Sequence, residues 1–269
     1  MPEGHTIHRL AKDQTKLLVG RTVRVTSPQG RFTDGAARID GTVLESVEAY
    51  GKHLFHWWGT GEIGHVHLGL FGKFRVERSD AVPPPAGEVR MRMVTGGGPE
   101  PVTTVDLSGP TACSIDPPEV RAAIIARLGP DPLRRDAKPA VAIERMARSR
   151  QPIGALLLDQ SVIAGVGNVF RAEALFVNRI DPCRAGRTCP EPDLEALWRT
   201  IVAMLRKGVR EDRIATVDPS ELALPRGRVR RGEATYVYHR DVCRRCGTAI
   251  RTVALAGRPC WFCPTCQPR

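Results

Sequence analysis

A chain of 269 residues, 42% hydrophobic and 26% charged, has the length and composition of a globular protein with a sizeable core. No apolar run approaches the roughly 20 residues that span a bilayer, and no basic-then-apolar segment opens the chain, so neither membrane insertion nor secretion is expected. The formal charge is +11, and +7 of it falls between Glu221 and Arg269, where ten Arg face three acids; a polyanion, most often nucleic acid, fits that clustering better than a merely solvated basic face.

Met1-Pro2-Glu3-Gly4 comes first. With Met1 removed, Pro2 is a free secondary amine, and an α-amino group with a pKa of about 8 is partly neutral near pH 7. Such an amine can attack a sugar aldehyde carbon and form a Schiff base, and Glu3 beside it can move protons. On these four residues alone the plainer reading, a proline that only follows the start codon, is the stronger.

The spacing of Ile7, Leu10, Ala11, Leu17 and Leu18 predicts a helix over 5–18. Strand-like runs follow at 22–26, 42–50, 53–58, 64–68, 73–77, 89–94, 102–107 and 111–115. Many short strands broken by Gly and Pro predict a sandwich or barrel, with Pro83-Pro84-Pro85 and Gly96-Gly97-Gly98 in hairpin loops. Lys52, after Gly51 at a strand start, is either an ordinary exposed residue or a cleft residue that contacts phosphate or carries a proton. His53-x-x-His56 and His65-x-His67 lie on strands as a metal pair would. No acid is spaced to complete a catalytic set, so packed or surface histidines are expected.

The texture changes near residue 118. Val120, Ile124, Ile125 and Leu128 share one face of 118–128, and Gly129-Pro130-Asp131-Pro132 reads as a linker. Helices are predicted at 138–148, 152–158, 168–177 and 191–207. Gly165-Val166-Gly167-Asn168 precedes one of them. Glycines at a helix start let backbone amides approach a phosphate, and Asn168 adds a donor. A tight interhelical turn with Asn168 as N-cap explains the same residues nearly as well. Residues 216–232, rich in Arg and Pro, read as a mobile loop.

Five of the eight Cys fall in the last 27 residues. Cys243-x2-Cys246-x16-Cys263-x2-Cys266 matches a four-Cys structural zinc site, one ion per chain. Four thiolates close the coordination shell, so this zinc is expected to fold the tail rather than to catalyse. Ile250, Val253, Leu255, Trp261 and Phe262 suit a small β-hairpin around it, and Cys260 is left out of the ligand set.

Taken together, Met-Pro-Glu-Gly, Gly-Lys, Gly-Val-Gly-Asn and a four-Cys finger holding Gly257-Arg258-Pro259 resemble the formamidopyrimidine-DNA glycosylase and endonuclease VIII family of base-excision-repair enzymes. The resemblance covers the whole chain. It implies an α+β multidomain fold: an N-terminal β-sandwich with an N-terminal helix over 1–128, a helical helix–two-turn–helix domain over 129–232, and a zinc-finger hairpin over 233–269. It implies a bifunctional glycosylase and abasic-site lyase. By position, Pro2 matches the nucleophile and Glu3 the general acid/base. Lys52 matches a lysine that contacts phosphate and donates a proton, and Arg258 the finger arginine credited with the δ-elimination proton. Asn168 matches a phosphate ligand, Arg127 a DNA-binding arginine, and Glu173 a buried structural glutamate. Leu70-Phe71 is similar to the Leu-Tyr wedge of endonuclease VIII, although Gly69 replaces the glutamine expected before it.

The 8-oxoguanine branch carries an Asp-x-Arg-x-Phe-Gly strand, whereas residues 105–111 here have neither Arg nor Phe. The resemblance therefore favours oxidised pyrimidines. It also implies damaged DNA as partner, no membrane, no small-molecule cofactor, a monomer, and a cytoplasmic place, on the nucleoid if the source is bacterial. An 8-oxoguanine glycosylase of the same family, a non-catalytic zinc-finger DNA-binding protein and a zinc hydrolase are the alternatives.

Overall fold

The computed structural model describes residues 2–222, 229 and 233–268. The chain divides into two compact units, Met1–Pro2 with Ile7–Arg127, and Glu3–Thr6 with Leu128–Arg269. Among the described residues no helix is long and apolar enough to cross a membrane.

The first unit is a sandwich of two four-stranded leaves. Its strands are β1 (Thr22–Thr26), β2 (Thr42–Tyr50), β3 (His53–Trp58), β4 (Ile63–His67), β5 (Lys73–Ser79), β6 (Val89–Gly97), β7 (Glu100–Ser108) and β8 (Ala112–Asp116). The strand order is β5-β7-β6-β1-β2-β3-β4-β8, every pair antiparallel, with β1 and β2 joined by only two residue pairs, Thr22↔Val43 and Val23↔Thr42. That short junction is where the sheet folds over on itself. Val25, Met93, Val105 and Leu107 from one leaf then meet Leu44, Leu54, Val66 and Ile115 from the other in a single core. Period-two alternation places these side chains inward. Helix α1 (Gly4–Leu18) adds Ile7, Ala11 and Leu18, which share one face at helical spacing.

Two features of this unit were not evident in the sequence. A helix, α2 (Thr33–Ile39), forms after β1 around Gly35, where a β-carbon would lie 2.3 Å from the Phe32 ring. Arg92 and Asp106, opposite one another on β6 and β7, make a buried two-pronged ion pair with both N···O distances 2.7 Å. Asp106 is thereby a structural partner of Arg92. Helix α3 (Pro118–Ala126) closes the unit, with Pro118 at its first position, where the missing N–H costs nothing.

His56 is buried and bonds Gln14 of α1 at 2.6 Å. Burial lowers its pKa from 6.5 to about 4. The unfolded chain therefore binds a proton that the folded chain refuses between about pH 6.5 and 4, so stability falls as pH drops through that window. At neutral pH the ring is neutral in both states, and the full loss, reached below about pH 4, is on the order of 3 kcal/mol. We expect the urea midpoint of the wild type to fall from pH 7 to pH 4.5 more steeply than that of His56→Gln. Parallel slopes would refute the assignment.

The second unit is helical: α4 (Pro139–Ala147), α5 (Ile153–Leu156), α6 (Asn168–Val177) and α7 (Glu191–Glu211). Ile143, Met146, Leu157, Phe170, Leu175, Leu197, Ile201 and Leu205 form its core. Helix α7 runs four residues beyond its expected end and stops at Asp212, whose left-handed backbone (φ 53°) terminates it. A hairpin of β9 (Arg251–Leu255) and β10 (Arg258–Phe262) turns at Ala256-Gly257, both at positive φ. Leu255, Cys260, Cys263, Tyr236 and Val237 pack with Ala172 and Phe176 of α6.

The start of the segment expected to be a mobile loop is tied down instead. Thr216 bonds Glu173 and Ala234, Val217 is fully buried, and the Asp218 amide donates to the Tyr236 hydroxyl at 2.9 Å. Residues 223–228 and 230–232 of that segment lie outside the described residues.

Candidate active site

Glu3 is completely buried, and its carboxylate is bound by the turn that starts α6. The Gly167 amide donates to Oε2 at 2.8 Å and the Val169 amide to Oε1 at 2.9 Å. A helix N-terminus presents unpaired N–H groups and a positive end of the dipole, so a carboxylate is the natural occupant. Two of the amides expected to cradle a phosphate are thus taken by Glu3. The glycines are required for this. A β-carbon on Gly167 would lie 2.3 Å from Glu3 Cδ, and one on Gly4 would lie 2.9 Å from Gly165 Cα. The Gly4 amide also donates to the Gly165 carbonyl at 2.8 Å.

Replacing Gly167 with alanine should therefore expel the carboxylate. Two charge-assisted hydrogen bonds are lost, so we expect a destabilisation of about 2–4 kcal/mol. Any activity that uses Glu3 should fall about 100-fold or more. Urea titration and a strand-cleavage assay on the same preparation check both figures.

Asn168 is the first residue of α6, and the N-cap is Gly167. Its side chain spans outward, donating to the Pro259 carbonyl at 3.1 Å and accepting from Arg171. Arg171, one turn further on, is fully buried and was not singled out in the sequence. It donates to the carbonyls of Gly154, Leu255 and Pro259 at 3.0–3.2 Å. A buried guanidinium is tolerated when its protons are largely matched; here both Nη groups have partners and Nε does not. Here it welds the start of α6 to the hairpin that carries Arg258, itself exposed on β10. Burial lowers the Arg171 pKa.

Glu173 is buried and receives the amides of Tyr236, Val237 and Tyr238 at 2.7–2.9 Å together with the Thr216 hydroxyl. Burial raises its pKa against the pull of those donors. It fixes the approach to the finger, the structural part expected of it.

In the first unit Pro2 is half-buried, and Lys52 lies half-buried in the two-residue turn between β2 and β3 rather than on the strand. The charges of Lys52 and Arg127 both bear on His53. His53 Nδ1 and His65 Nε2 are 2.9 Å apart, and the His53 ring is 4.9 Å from that of His67. Burial, with the neighbouring His65, His67, Arg127 and Lys52 charges, lowers the His53 pKa to about 3. These are packed histidines rather than a metal pair. Leu70 and Phe71 are 52% and 84% exposed at the tip of the loop after β4, an unusual display for large apolar groups. Gly69 precedes them at φ +65°, and a β-carbon there would lie 1.9 Å from Thr111 Oγ1.

Among the described residues the only group of three or more metal-ligating side chains is Cys243, Cys246, Cys263 and Cys266, with all four sulfurs within 4.8 Å of one another. Three of the sulfur pairs are 3.5–3.8 Å apart. A tetrahedron with Zn–S of about 2.3 Å has edges of about 3.8 Å, so the thiols fit zinc. Cys260 is buried outside this group.

Three family models match in order: the formamidopyrimidine-DNA glycosylase N-terminal domain over residues 1–108, the formamidopyrimidine-DNA glycosylase H2TH domain over 128–220, and the zinc finger found in FPG and IleRS over 240–269. The chain belongs to the formamidopyrimidine-DNA glycosylase and endonuclease VIII family, whose members are bifunctional DNA glycosylases and abasic-site lyases. It is 52% identical to Endonuclease 8 1 of Mycobacterium tuberculosis, covering 99% of this chain and all of that one. It is 32% identical to the DNA-(apurinic or apyrimidinic site) lyase Nei2 of Mycolicibacterium smegmatis, over 99% of both. The crystal structure of the MutM (Fpg) protein from Thermus thermophilus superposes with a TM-score of 0.77 at 28% identity, covering 99% of this chain and 98% of that one.

Proposed function

We propose that the chain removes oxidised bases from DNA, pyrimidines by preference, and cleaves the resulting abasic site through a Schiff base on Pro2. The observation that carries this reading is the seat of Glu3, a buried carboxylate held by two backbone amides and covalently next to Pro2. The Pro2 nitrogen attacks C1′ as the base leaves with a proton. The C1′–O4′ bond then breaks, its oxygen taking a proton from Glu3, to leave an iminium that acidifies the C2′ proton, and the 3′ and then the 5′ phosphate depart by β- and δ-elimination. Glu3 serves as general acid/base, and Lys52 and Arg258 supply protons to the eliminations. Lys52, Asn168, Arg127 and Arg258 contact phosphates, and Leu70 enters the stack vacated by the base, since enzymes acting on a base take it out of the duplex. Zinc, held by the four cysteines, folds the finger and takes no part in the chemistry.

The pyrimidine preference is supported by the absence of Arg and Phe in the Val105–Thr111 stretch and by the 52% identity to an Endonuclease 8. We read the protein as a cytoplasmic monomer needing no small-molecule cofactor. Borohydride trapping on an abasic-site duplex tests the activity, and a panel of thymine glycol, dihydrouracil and 8-oxoguanine duplexes tests the preference. Failure to trap by a chain whose first residue is Pro2 would refute the enzyme. Faster excision of 8-oxoguanine would reassign the branch.

A further inference from the structure

His239 is exposed and holds a left-handed backbone (φ 52°), a conformation that glycine takes freely and that a β-carbon makes costly. Its imidazole lies against the Trp261 indole, with 4.2 Å between centroids and 35° between planes. Tyr238 stands edge-on to both rings, at 4.6 and 4.7 Å. The base of this stack is rigid. The Tyr238 amide is bonded to Glu173, and Trp261 sits on β10 between Cys260 and Phe262, paired across the hairpin with Thr252. A ring recruited only for packing would be buried, but His239 remains exposed on top of the stack.

The surroundings carry positive charge. Arg240 follows directly and lies near enough to Arg244 for each to feel the other's charge. Arg251 and Arg258 are exposed on the hairpin. Against these stands Asp241, also exposed. A polyanion with flat apolar faces complements such a surface. That describes a nucleic-acid strand whose bases are unpaired, since base–aromatic stacking and backbone attraction act together on single strands.

We propose that the His239–Trp261 stack is a platform for one unpaired base of a DNA strand and gives the finger an affinity for single-stranded DNA that phosphate contacts alone do not supply. This rests on the reading of the chain as a DNA-acting enzyme. The imidazole supplies a flat face for stacking, exposed beside the Trp261 indole.

The test uses the full zinc-loaded chain with two fluorescent oligonucleotides of equal length, oligothymidylate and a strand of abasic residues that has only sugar and phosphate. His239→Gly removes the ring and relieves the backbone, whereas His239→Phe keeps a flat ring without the nitrogens. His239→Gly is expected to weaken oligothymidylate binding about 5- to 30-fold and to leave abasic-strand binding within about twofold. Its thermal midpoint should rise, because glycine suits the positive φ. His239→Phe should bind oligothymidylate as the wild type does. No loss in His239→Gly, an equal loss on both strands, or a loss in His239→Phe would each overturn the platform. Trapping on abasic duplex runs alongside. A wild type that does not trap refutes the enzyme reading, whereas normal trapping with unchanged oligothymidylate binding in His239→Gly refutes the platform alone.

Discussion

A chain carrying even one residue ahead of Pro2 will form no covalent adduct when borohydride is added with abasic-site DNA, whereas the chain that begins at Pro2 will. An N-terminal extension turns the proline nitrogen into an amide, which has no lone pair to give and no titration near pH 7. A free α-amine, with its pKa of about 8, has both. The loss should be at least about 1,000-fold in trapping rate, since the whole covalent route is removed. Pro2→Gly leaves a primary amine at the same position, so trapping should weaken without vanishing. Gel mobility of the adduct and its mass give the readout. An undiminished adduct from the extended chain would move the nucleophile elsewhere, with Lys52 the first residue to test.

Zinc removal should have the other large effect. The finger has two five-residue strands and a shared wall with α6, too little to fold by itself. Structural zinc supplies about 10–16 kcal/mol in comparable finger peptides. Cys263→Ala deletes a fully buried ligand, against which lie the Cys246 thiol and the Cys266 backbone amide, the latter donating to the Cys263 sulfur. We expect the variant to bind no stoichiometric zinc and to lose DNA affinity by about 100-fold or more, because the arginines of the hairpin are no longer held in place. The damage should also reach α6. Arg171 is bonded to Leu255 and Pro259 of the hairpin, and without them a buried guanidinium is left short of partners. The thermal midpoint of the helical unit should therefore drop with the finger. A chelated protein that keeps its Trp261 fluorescence and its DNA affinity would contradict this account.

The sequence revealed most of what depends on local pattern. Alternating strands, the apolar face of α1, and the paired Cys-x-x-Cys knuckles announce themselves within a few residues. The parts that stayed hidden depend on partners far along the chain. Gly167 looked like a phosphate cradle, but its amide serves Glu3, 164 positions away. Arg171 sits between Phe170 and Ala172 on an otherwise ordinary helix, and only the fold shows that it is enclosed by carbonyls from Gly154 and the hairpin. Helix α2 was masked by Gly35, whose weak helical propensity is overridden by the Phe32 ring packed where a side chain would be. Of the proposed site, the zinc ligands could be read from type and spacing, whereas Pro2, Glu3 and Lys52 stood out only through the resemblance to the family. How Glu3 is held could be read from neither.

The bond between Glu3 and the turn at Gly167 and Val169 also imposes an order on biosynthesis. The carboxylate has nothing to dock on until those residues have been made, and at about 5–20 residues per second that takes roughly 8–30 s. Throughout that interval the head of the nascent chain is loose and open to the aminopeptidase that must trim Met1. Once the turn is complete, Glu3 is drawn into the interior, with Pro2 beside it half-buried. Trimming is therefore least hindered before assembly, and under the proposed mechanism a chain that escaped it would fold with the Pro2 nitrogen still an amide.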